Sequence, residues 1–316
     1  MTLRLIAAPG AAALTRRLSA KLDVPLCRLE NRRFADGETY LRIDDEVEGC
    51  DIAVVAQLRD PDPQLPGLLF LADTLRELGA AKVGMVAPYL PYMRQDMRFL
   101  PGEAVTSRSL AKIISAAFDW LVTVEPHLHR HGSLDEIYHL TTAIVPSAPA
   151  VAAWVQTQVA HPHIVGPDEE SERWVSEVAA LAGRPYTVFE KLRRGDDVVE
   201  LVLPEVQVMR GHTPVLVDDI IASGQTMAMA VRRLLAMGFP PPVCVGVHAV
   251  FAGDAAALLQ RAGAARVVSC NTLAHPSNAI DVSGALAEAV RVELECVHAG
   301  EEEGSGIVCA TASTGK

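Results

Sequence analysis

Two adjacent carboxylates precede a turn of small residues in the stretch VLVDDIIASGQTMAMAVRRLL, residues 215–235. Asp218 and Asp219 follow an apolar run that is typical of a buried strand. From Met227 onward, apolar residues recur with the 3.6-residue period of a helix. Helix N-termini attract anions through their free backbone N–H groups, and open parallel sheets bind ligands where their strands end. The pattern predicts an anion site in the turn, which consists of Ala222, Ser223, Gly224, Gln225 and Thr226.

The two acids narrow the kind of anion that this turn would hold. The turn has neither the lysine nor the glycine spacing of a Walker A loop. Acids would repel a bare polyphosphate, but they suit a molecule with a phosphate at one end and vicinal hydroxyl groups at the other. They would accept hydrogen bonds from the hydroxyls or hold a bridging Mg²⁺. A pentose 5-phosphate has this shape, and the alternative is a strand end and helix cap without a ligand.

Short apolar runs recur along the chain and alternate with amphipathic stretches, which predicts an α/β fold with parallel strands buried on both faces. The alternation repeats on both sides of a passage rich in proline and alanine, residues 141–162. We therefore predict one domain over residues 1–145 and a second over 146–297. Residues 298–316 contain an acidic run without periodicity and are expected to be a disordered tail.

Composition excludes several classes of protein. A net charge of −11 argues against a nucleic-acid surface, which needs a basic face. The chain is 50% apolar, but no apolar run reaches the roughly 18 residues that span a bilayer, so no membrane partner is expected. The six cysteines are scattered without a C-x-x-C pair, which favours buried thiols in a reducing cytoplasm over a zinc site or a disulfide framework.

Two segments of the first half have side chains that suit a nucleotide. Phe34, Asp36 and Glu38 surround Gly37, so an aromatic ring that can stack on a base lies beside two acceptors for an amino group. A plain surface turn is the alternative. In PYMRQDMR, residues 91–98, the arginines could bind polyphosphate oxygens, although solvated loop charges are equally compatible with the pattern.

Three further segments carry candidate chemistry. His127, His129 and His131 alternate after a strand and could suggest a transition metal, but soft ligands are absent nearby. His129 and His131 are predicted to lie in a solvated turn. Asp168 ends a strand where a metal ligand would lie. A basic segment around Lys191 is predicted to turn at Gly195. It could close over a phosphoryl group during transfer, or could be a plain hairpin.

The stretch VLVDDIIASGQTM resembles the phosphoribosyl-diphosphate motif that phosphoribosyltransferases share with ribose-phosphate pyrophosphokinases. Other segments resemble only the pyrophosphokinases, and the resemblance runs from about residue 3 to about residue 295. It implies two tandem phosphoribosyltransferase-like domains, each a mainly parallel sheet flanked by helices, with 1–145 on the nucleotide side and 146–297 on the ribose-phosphate side. Ala222 replaces an acid and Gln225 replaces a glycine of many members, which resembles an archaeal-like branch.

The resemblance implies Mg²⁺-dependent transfer of diphosphate from ATP to ribose 5-phosphate, giving 5-phosphoribosyl 1-diphosphate and AMP. It implies a cytoplasmic homo-oligomer built from dimers, which could reach a hexamer. Lys191, Arg193 and His127 match residues that act in catalysis, and His127 and Asp168 match residues on the metal side. The remaining matches are to ATP-binding positions, namely Phe34, Asp36, Glu38, Arg94, Gln95 and Asp96, and to ribose-5-phosphate-binding positions, namely Asp218, Asp219 and residues 222–226.

One segment departs from the family pattern. After Asp168 the family usually has glycines that let the backbone approach the diphosphate, whereas this chain has Glu169, Glu170 and Ser171. This departure keeps a second hypothesis open, a catalytically weak regulatory homologue that binds nucleotide or sugar phosphate. A phosphoribosyltransferase is a third hypothesis, which would leave the segments around Phe34 and Arg94 without a purpose.

Overall fold

The computed structural model describes residues 2–194, 198–204 and 206–302 of the chain. These residues form two compact units. The first contains Met1–Val145 and the chain that returns at Ser283, and the second is continuous over Pro146–Val282.

A six-stranded sheet lies at the centre of the first unit, and all its strand pairs are parallel. Its strands, in spatial order, are β2 (Leu26–Cys27), β1 (Leu3–Ala7), β5 (Asp51–Val55), β6 (Lys82–Val86), β7 (Trp120–Val124) and β8 (Thr141–Val145). A separate antiparallel hairpin consists of β3 (Leu29–Arg33) and β4 (Thr39–Ile43). Every residue of β5 and β7 is buried, as expected for strands covered on both faces.

Helices cover the first sheet because their apolar residues recur at helical spacing. They are α1 (Ala12–Leu22), α2 (Leu65–Glu77), α3 (Thr106–Ala117) and a C-terminal helix (Ser283–Glu302). In α3 the buried side chains Leu110, Ala111 and Ile114 form one stripe. Burial of one leucine or isoleucine side chain contributes roughly 1.5–3 kcal/mol, so such stripes anchor each helix to the sheet.

The second unit has the same arrangement. Its parallel sheet contains, in spatial order, β10 (Tyr186–Val188), β9 (Pro162–Gly166), β13 (Thr213–Ile220), β14 (Val243–His248), β15 (Arg266–Cys270) and β16 (Asn278–Ile280). An antiparallel hairpin consists of β11 (Glu190–Arg194) and β12 (Val198–Val202). The helices are α4 (Ala148–Gln158), α5 (Glu172–Ala182), α6 (Gln225–Ala236) and α7 (Ala255–Ala262). The C-terminal helix of the first unit is therefore α8.

The predicted fold class is confirmed, since both units are parallel sheets flanked by helices. In each unit a hairpin separates the first two sheet strands from the other four, so the order of elements is repeated. None of the helices within the described residues is both long and apolar enough to cross a bilayer.

The predicted extent of the second domain is wrong at its C-terminal end. Residues 283–297 belong to the first unit, where α8 packs on α1, β7 and β8. The Arg291 guanidinium donates to the Lys21 carbonyl at 2.6 Å, and Nε2 of His298 lies 2.9 Å from Oδ2 of Asp51. The helix also extends to residue 302, into the predicted tail, while residues 303–316 lie outside the described residues.

Candidate active site

The carboxylates of the second unit meet at one edge of its sheet. Strands β9 and β13 are parallel neighbours, so Asp168 after β9 and the acids of β13 lie at the same edge. Asp218 and Asp219 lie within β13 rather than after it, because this strand continues to pair with β14 as far as Ile220. Burial, together with the negative charges of Asp219 and Asp168, raises the pKa of Asp218 well above its ordinary value. The cluster therefore favours a proton, a cation or hydroxyl donors next to Asp218.

The turn after β13 leads directly into α6. Gly224 has φ 71°, and a Cβ atom there would lie 3.4 Å from the Cβ and carbonyl oxygen of Ala255. Glycine is therefore favoured by the backbone conformation, while a Cβ atom would make only close contact with Ala255. The first backbone N–H groups of a helix have no acceptor inside it, so those of Gln225, Thr226 and Met227 face the helix end. This N-terminus has the geometry of an anion site.

The neighbouring loop braces the start of this turn. The backbone N–H of Phe251 donates to the Ile221 carbonyl at 2.9 Å, and that of Ala252 donates to the Ala222 carbonyl at 3.0 Å. Ser223 is exposed, and its Oγ accepts a long hydrogen bond of 3.4 Å from the Gln225 N–H. Backbone contacts thus fix the turn, while the Ser223 hydroxyl remains accessible.

The basic segment with Lys191 and Arg193 lies in β11, where Lys191 pairs with Leu201 and Arg193 pairs with Val199 of β12. This pairing agrees with the hairpin alternative, and the role of the segment in phosphoryl transfer stays a prediction. The turn predicted at Gly195 lies outside the described residues.

In the first unit, Phe34, Asp36 and Glu38 lie at the tip of the β3–β4 hairpin. The Phe34 side chain is 45% exposed, and its ring packs edge-on against Tyr40 with the ring centroids 5.7 Å apart. The Arg32 guanidinium lies over both rings, 4.8 Å from the Phe34 centroid and 4.0 Å from that of Tyr40. Asp36 accepts a hydrogen bond from the Glu38 N–H at 3.1 Å, so this acid shapes the turn. The hairpin tip thus exposes the Phe34 ring to solvent while Tyr40 and Arg32 pack against it.

The three predicted site residues after β6 differ in solvent exposure. They are Arg94, Gln95 and Asp96. Arg94 and Gln95 are exposed, and the Gln95 side-chain carbonyl accepts from the Thr106 hydroxyl at the start of α3. Asp96 is only 4% exposed, and Nη1 of Arg130 donates to both of its carboxylate oxygens, at 2.9 and 3.1 Å. The Asp96 carboxylate therefore holds Arg130 and is not presented to solvent.

The histidines after β7 also differ from one another. The His127 and His129 ring centroids are 3.8 Å apart, and His129 is exposed. The prediction that His131 lies in a solvated turn is wrong, because its side chain is 9% exposed and its Nδ1 lies 2.9 Å from Oε2 of Glu136. The hydrogen bond from His131 lowers the pKa of Glu136, which ties this loop together.

Family models match most of the chain. The N-terminal domain of ribose phosphate pyrophosphokinase matches residues 3–117, and the phosphoribosyl transferase domain matches residues 141–284. A ribose-phosphate pyrophosphokinase of Methanopyrus kandleri is 35% identical over 279 residues, covering 88% of this chain and 94% of the relative. The chain belongs to the ribose-phosphate pyrophosphokinase family.

Further comparisons agree with this membership. A second curated member of the family, from Sulfurisphaera tokodaii, is 32% identical over 86% of this chain and 95% of its own length. The crystal structure of phosphoribosylpyrophosphate synthetase from Mycobacterium smegmatis superposes with a TM-score of 0.82 at 26% identity, covering 93% of this chain and 99% of that one. The resemblance to an archaeal-like branch is confirmed, since the curated pyrophosphokinases at 31–35% identity are mostly archaeal.

The segment that departs from the pyrophosphokinase pattern forms a short 3₁₀ turn over Glu169–Ser171. The Ser171 hydroxyl donates to the Asp168 carbonyl at 2.6 Å, and a Cβ atom at Gly166 would lie 2.5 Å from this hydroxyl oxygen. Ser171 thus packs back against β9, whereas Glu169 and Glu170 are exposed. The negative side chains, rather than the serine, distinguish this loop.

Sequence reasoning missed Arg130, which follows β7, as the partner of Asp96. Its guanidinium binds Asp96 and lies 5.3 Å from the ring centroid of Phe99, which is 59% exposed. An arginine within the histidine-rich stretch was the available signal, but only the fold shows that Asp96 is its partner.

Proposed function

We propose that the chain transfers the diphosphoryl group of ATP to the 1-hydroxyl of ribose 5-phosphate. The hydroxyl loses its proton to solvent and its oxygen bonds to the β-phosphorus. The bond from that phosphorus to the α–β bridging oxygen breaks, and AMP leaves with this oxygen. The observation that carries the proposal is the pair Asp218 and Asp219 beside the N-terminus of α6, in a chain of this family. The names of the relatives support the same reaction class.

The second unit would bind the sugar phosphate. The backbone N–H groups at the start of α6 and the hydroxyls of Ser223 and Thr226 would hold the 5-phosphate. Asp218 and Asp219 would accept hydrogen bonds from the ribose hydroxyls, which relieves the repulsion between the two carboxylates. Binding both ends of the sugar would fix the direction of its 1-hydroxyl.

The donor set fits Mg²⁺. Mg²⁺ takes oxygen ligands, and burial, together with the charges of Asp219 and Asp168, raises the pKa of Asp218, so a cation would be stabilised beside these carboxylates. When bound there, Mg²⁺ would neutralise charge on the phosphoryl oxygens. The proposal assigns Asp168 as a metal ligand of the second unit and His127 as a metal ligand of the first, while Asp218 and Asp219 orient the sugar.

The first unit would bind ATP. Exposed Arg94 supplies a guanidinium for phosphate oxygens, and exposed Gln95 supplies an amide for a base edge. The exposed ring of Phe34, with Asp36 and Glu38, would bind the adenine of a nucleotide held mainly by a neighbouring copy of the chain. We therefore propose a homo-oligomer built from dimers. Asp96 would act by holding Arg130 in place.

No protein nucleophile is needed for this reaction. The chemistry would rest on positioning and on neutralising the charge that develops in the transferring group. Lys191 and Arg193 of β11 are proposed to supply positive charge to that group.

A regulatory homologue is the second candidate, and the exposed Glu169 and Glu170 favour it. Their carboxylates would repel a diphosphate near Asp168. Such a protein would bind ATP or ribose 5-phosphate without turnover.

The test combines purified protein with ribose 5-phosphate, ATP and Mg²⁺, and separates the nucleotides by anion-exchange chromatography. We expect AMP only when the sugar phosphate is present, in step with 5-phosphoribosyl 1-diphosphate. Asp219→Asn should lose turnover, while Glu177→Gln, a matched change at an exposed acid of α5, should not. Appearance of ADP would show a different reaction class, and ATP binding without turnover would favour the regulatory homologue.

A further inference from the structure

The loop between β15 and β16 contains a closed ring of hydrogen bonds for which the proposed reaction has no role so far. The backbone N–H of His275 donates to Oδ1 of Asn278 at 3.0 Å, which fixes the orientation of that amide. Nδ2 of Asn278 then donates to Oγ of Ser269 at 3.0 Å and to the Cys270 carbonyl at 2.8 Å. Oγ of Ser269 lies 2.7 Å from Oγ of Ser277, and Oγ of Ser277 lies 2.7 Å from Nδ1 of His275.

The directions of these hydrogen bonds determine the tautomer of His275. The backbone N–H of Ser277 also points at Nδ1, at 3.1 Å, and a backbone N–H can only donate. Nδ1 is therefore an acceptor, and the Ser277 hydroxyl donates to it while accepting from Ser269. The proton of the neutral imidazole lies on Nε2. The ring of hydrogen bonds holds the imidazole in one orientation.

This imidazole packs on a residue of the loop that braces the sugar-phosphate turn. The His275 and Phe251 ring centroids are 4.6 Å apart, with the ring planes tilted by 47°. Phe251 is 6% exposed and has φ 39°, which costs free energy for a bulky side chain and persists only where packing enforces it. The backbone N–H groups of Phe251 and Ala252 bind the carbonyls of Ile221 and Ala222.

We propose that His275 is a positioning residue for ribose 5-phosphate, acting through Phe251 on the turn formed by residues 222–226. The inference rests on the proposed function and assigns a role to the loop between β15 and β16. The closed cycle of hydrogen bonds fixes the orientation of the imidazole, and the imidazole holds Phe251 in its strained backbone conformation. The Phe251 backbone then holds the carbonyls at the start of the turn, so that the N–H groups of α6 converge on the 5-phosphate.

Calorimetric titration with ribose 5-phosphate and, separately, with ATP tests this chain of contacts. His275→Leu removes both the ring packing and the Nδ1 acceptor, and should raise the Kd for ribose 5-phosphate about tenfold while leaving the Kd for ATP unchanged. Ser277→Ala should weaken sugar-phosphate binding less, and Ser277→Thr, which keeps the hydroxyl, should restore it. His139→Leu, at an exposed histidine of the first unit, is the matched control and should bind both ligands as the wild type does.

Steady-state kinetics and NMR distinguish a positioning role of His275 from a general loss of native structure in the variant. The His275→Leu variant should show a raised KM for ribose 5-phosphate with unchanged kcat, and long-range ¹⁵N spectra of the wild type should show Nδ1 of His275 without a proton. The inference is overturned if this variant binds ribose 5-phosphate within twofold of the wild type, if it loses ATP affinity equally, or if Nδ1 carries the proton. Wild-type protein that binds ATP but no ribose 5-phosphate would instead refute the proposed function itself, and this inference with it.

Discussion

Acidification should destabilise the second unit through His163. This residue lies in β9 and is fully buried, with Nε2 2.8 Å from the Thr187 hydroxyl and its ring 5.9 Å from that of His212. Burial, and then the nearby His212, lower the pKa of His163 from 6.5 to about 4. The folded protein therefore resists a proton that the unfolded chain accepts.

The sign and size of the effect follow from these two pKa values. Well above pH 6.5 the imidazole is neutral in both the folded and the unfolded state, so its titration does not change the free energy of unfolding. As the pH falls below 6.5, only the unfolded state takes up the proton, so the free energy of unfolding decreases until the folded state titrates near pH 4. Between pH 7 and pH 5 the expected loss is about 2 kcal/mol, and the loss levels off at roughly 3.4 kcal/mol below pH 4.

Urea unfolding at pH 7 and pH 5, followed by tryptophan fluorescence, measures this loss. Trp154 and Trp174 both lie in the second unit and report on it. The glutamine in His163→Gln can still form a hydrogen bond with the Thr187 hydroxyl, but it does not titrate. The variant should therefore lose about 2 kcal/mol less stability than the wild type between pH 7 and pH 5. His161→Gln, at an exposed histidine of the same unit, is the control and should behave as the wild type does. Equal losses in the wild type and His163→Gln would refute the reasoning.

Three further predictions concern packing and catalysis. Gly84→Ala should destabilise the first unit by about 3 kcal/mol in urea unfolding, because a Cβ atom there would lie 1.8 Å from the Trp120 side chain. Gly67→Ala is the control. It should be neutral or stabilising by about 0.5 kcal/mol, because its Cβ atom would make only ordinary van der Waals contact. Gly224→Ala should cost about 1–2 kcal/mol of stability and raise the KM for ribose 5-phosphate; an unchanged KM would mean that the turn does not bind the sugar phosphate. Lys191→Ala should abolish turnover while nucleotide affinity, measured by calorimetry, changes little; an unchanged rate would remove Lys191 from the mechanism.

Local patterns predicted much of the fold and part of the site. Apolar runs located the strands, because parallel strands that are buried on both faces need continuous apolar sequence. The acids of β13 and the turn before α6 were visible because strand, turn and helix N-terminus are adjacent in sequence. Contacts within a few residues were therefore predictable from the sequence alone.

Contacts between distant residues were not predictable. The sequence places Asp96 among charged loop residues, and only its pairing with Arg130, 34 positions away, makes it a buried structural acid. The apolar stripe of α8, with Leu286 and Val290 fully buried, indicates that this helix packs but not on which sheet. The same limit applies to Phe251, whose packing on His275 depends on the order of strands in the sheet.

The return of α8 to the first unit has a consequence for folding during synthesis. The ribosome completes β1 to β8 first, but the helix that covers β7 and β8 emerges only after the whole second unit. The second unit is continuous in sequence and can finish folding as it emerges. The first unit keeps the apolar face of β7 and β8 uncovered until α8 has been synthesised. The half of the protein that is translated first is therefore the last to complete its core.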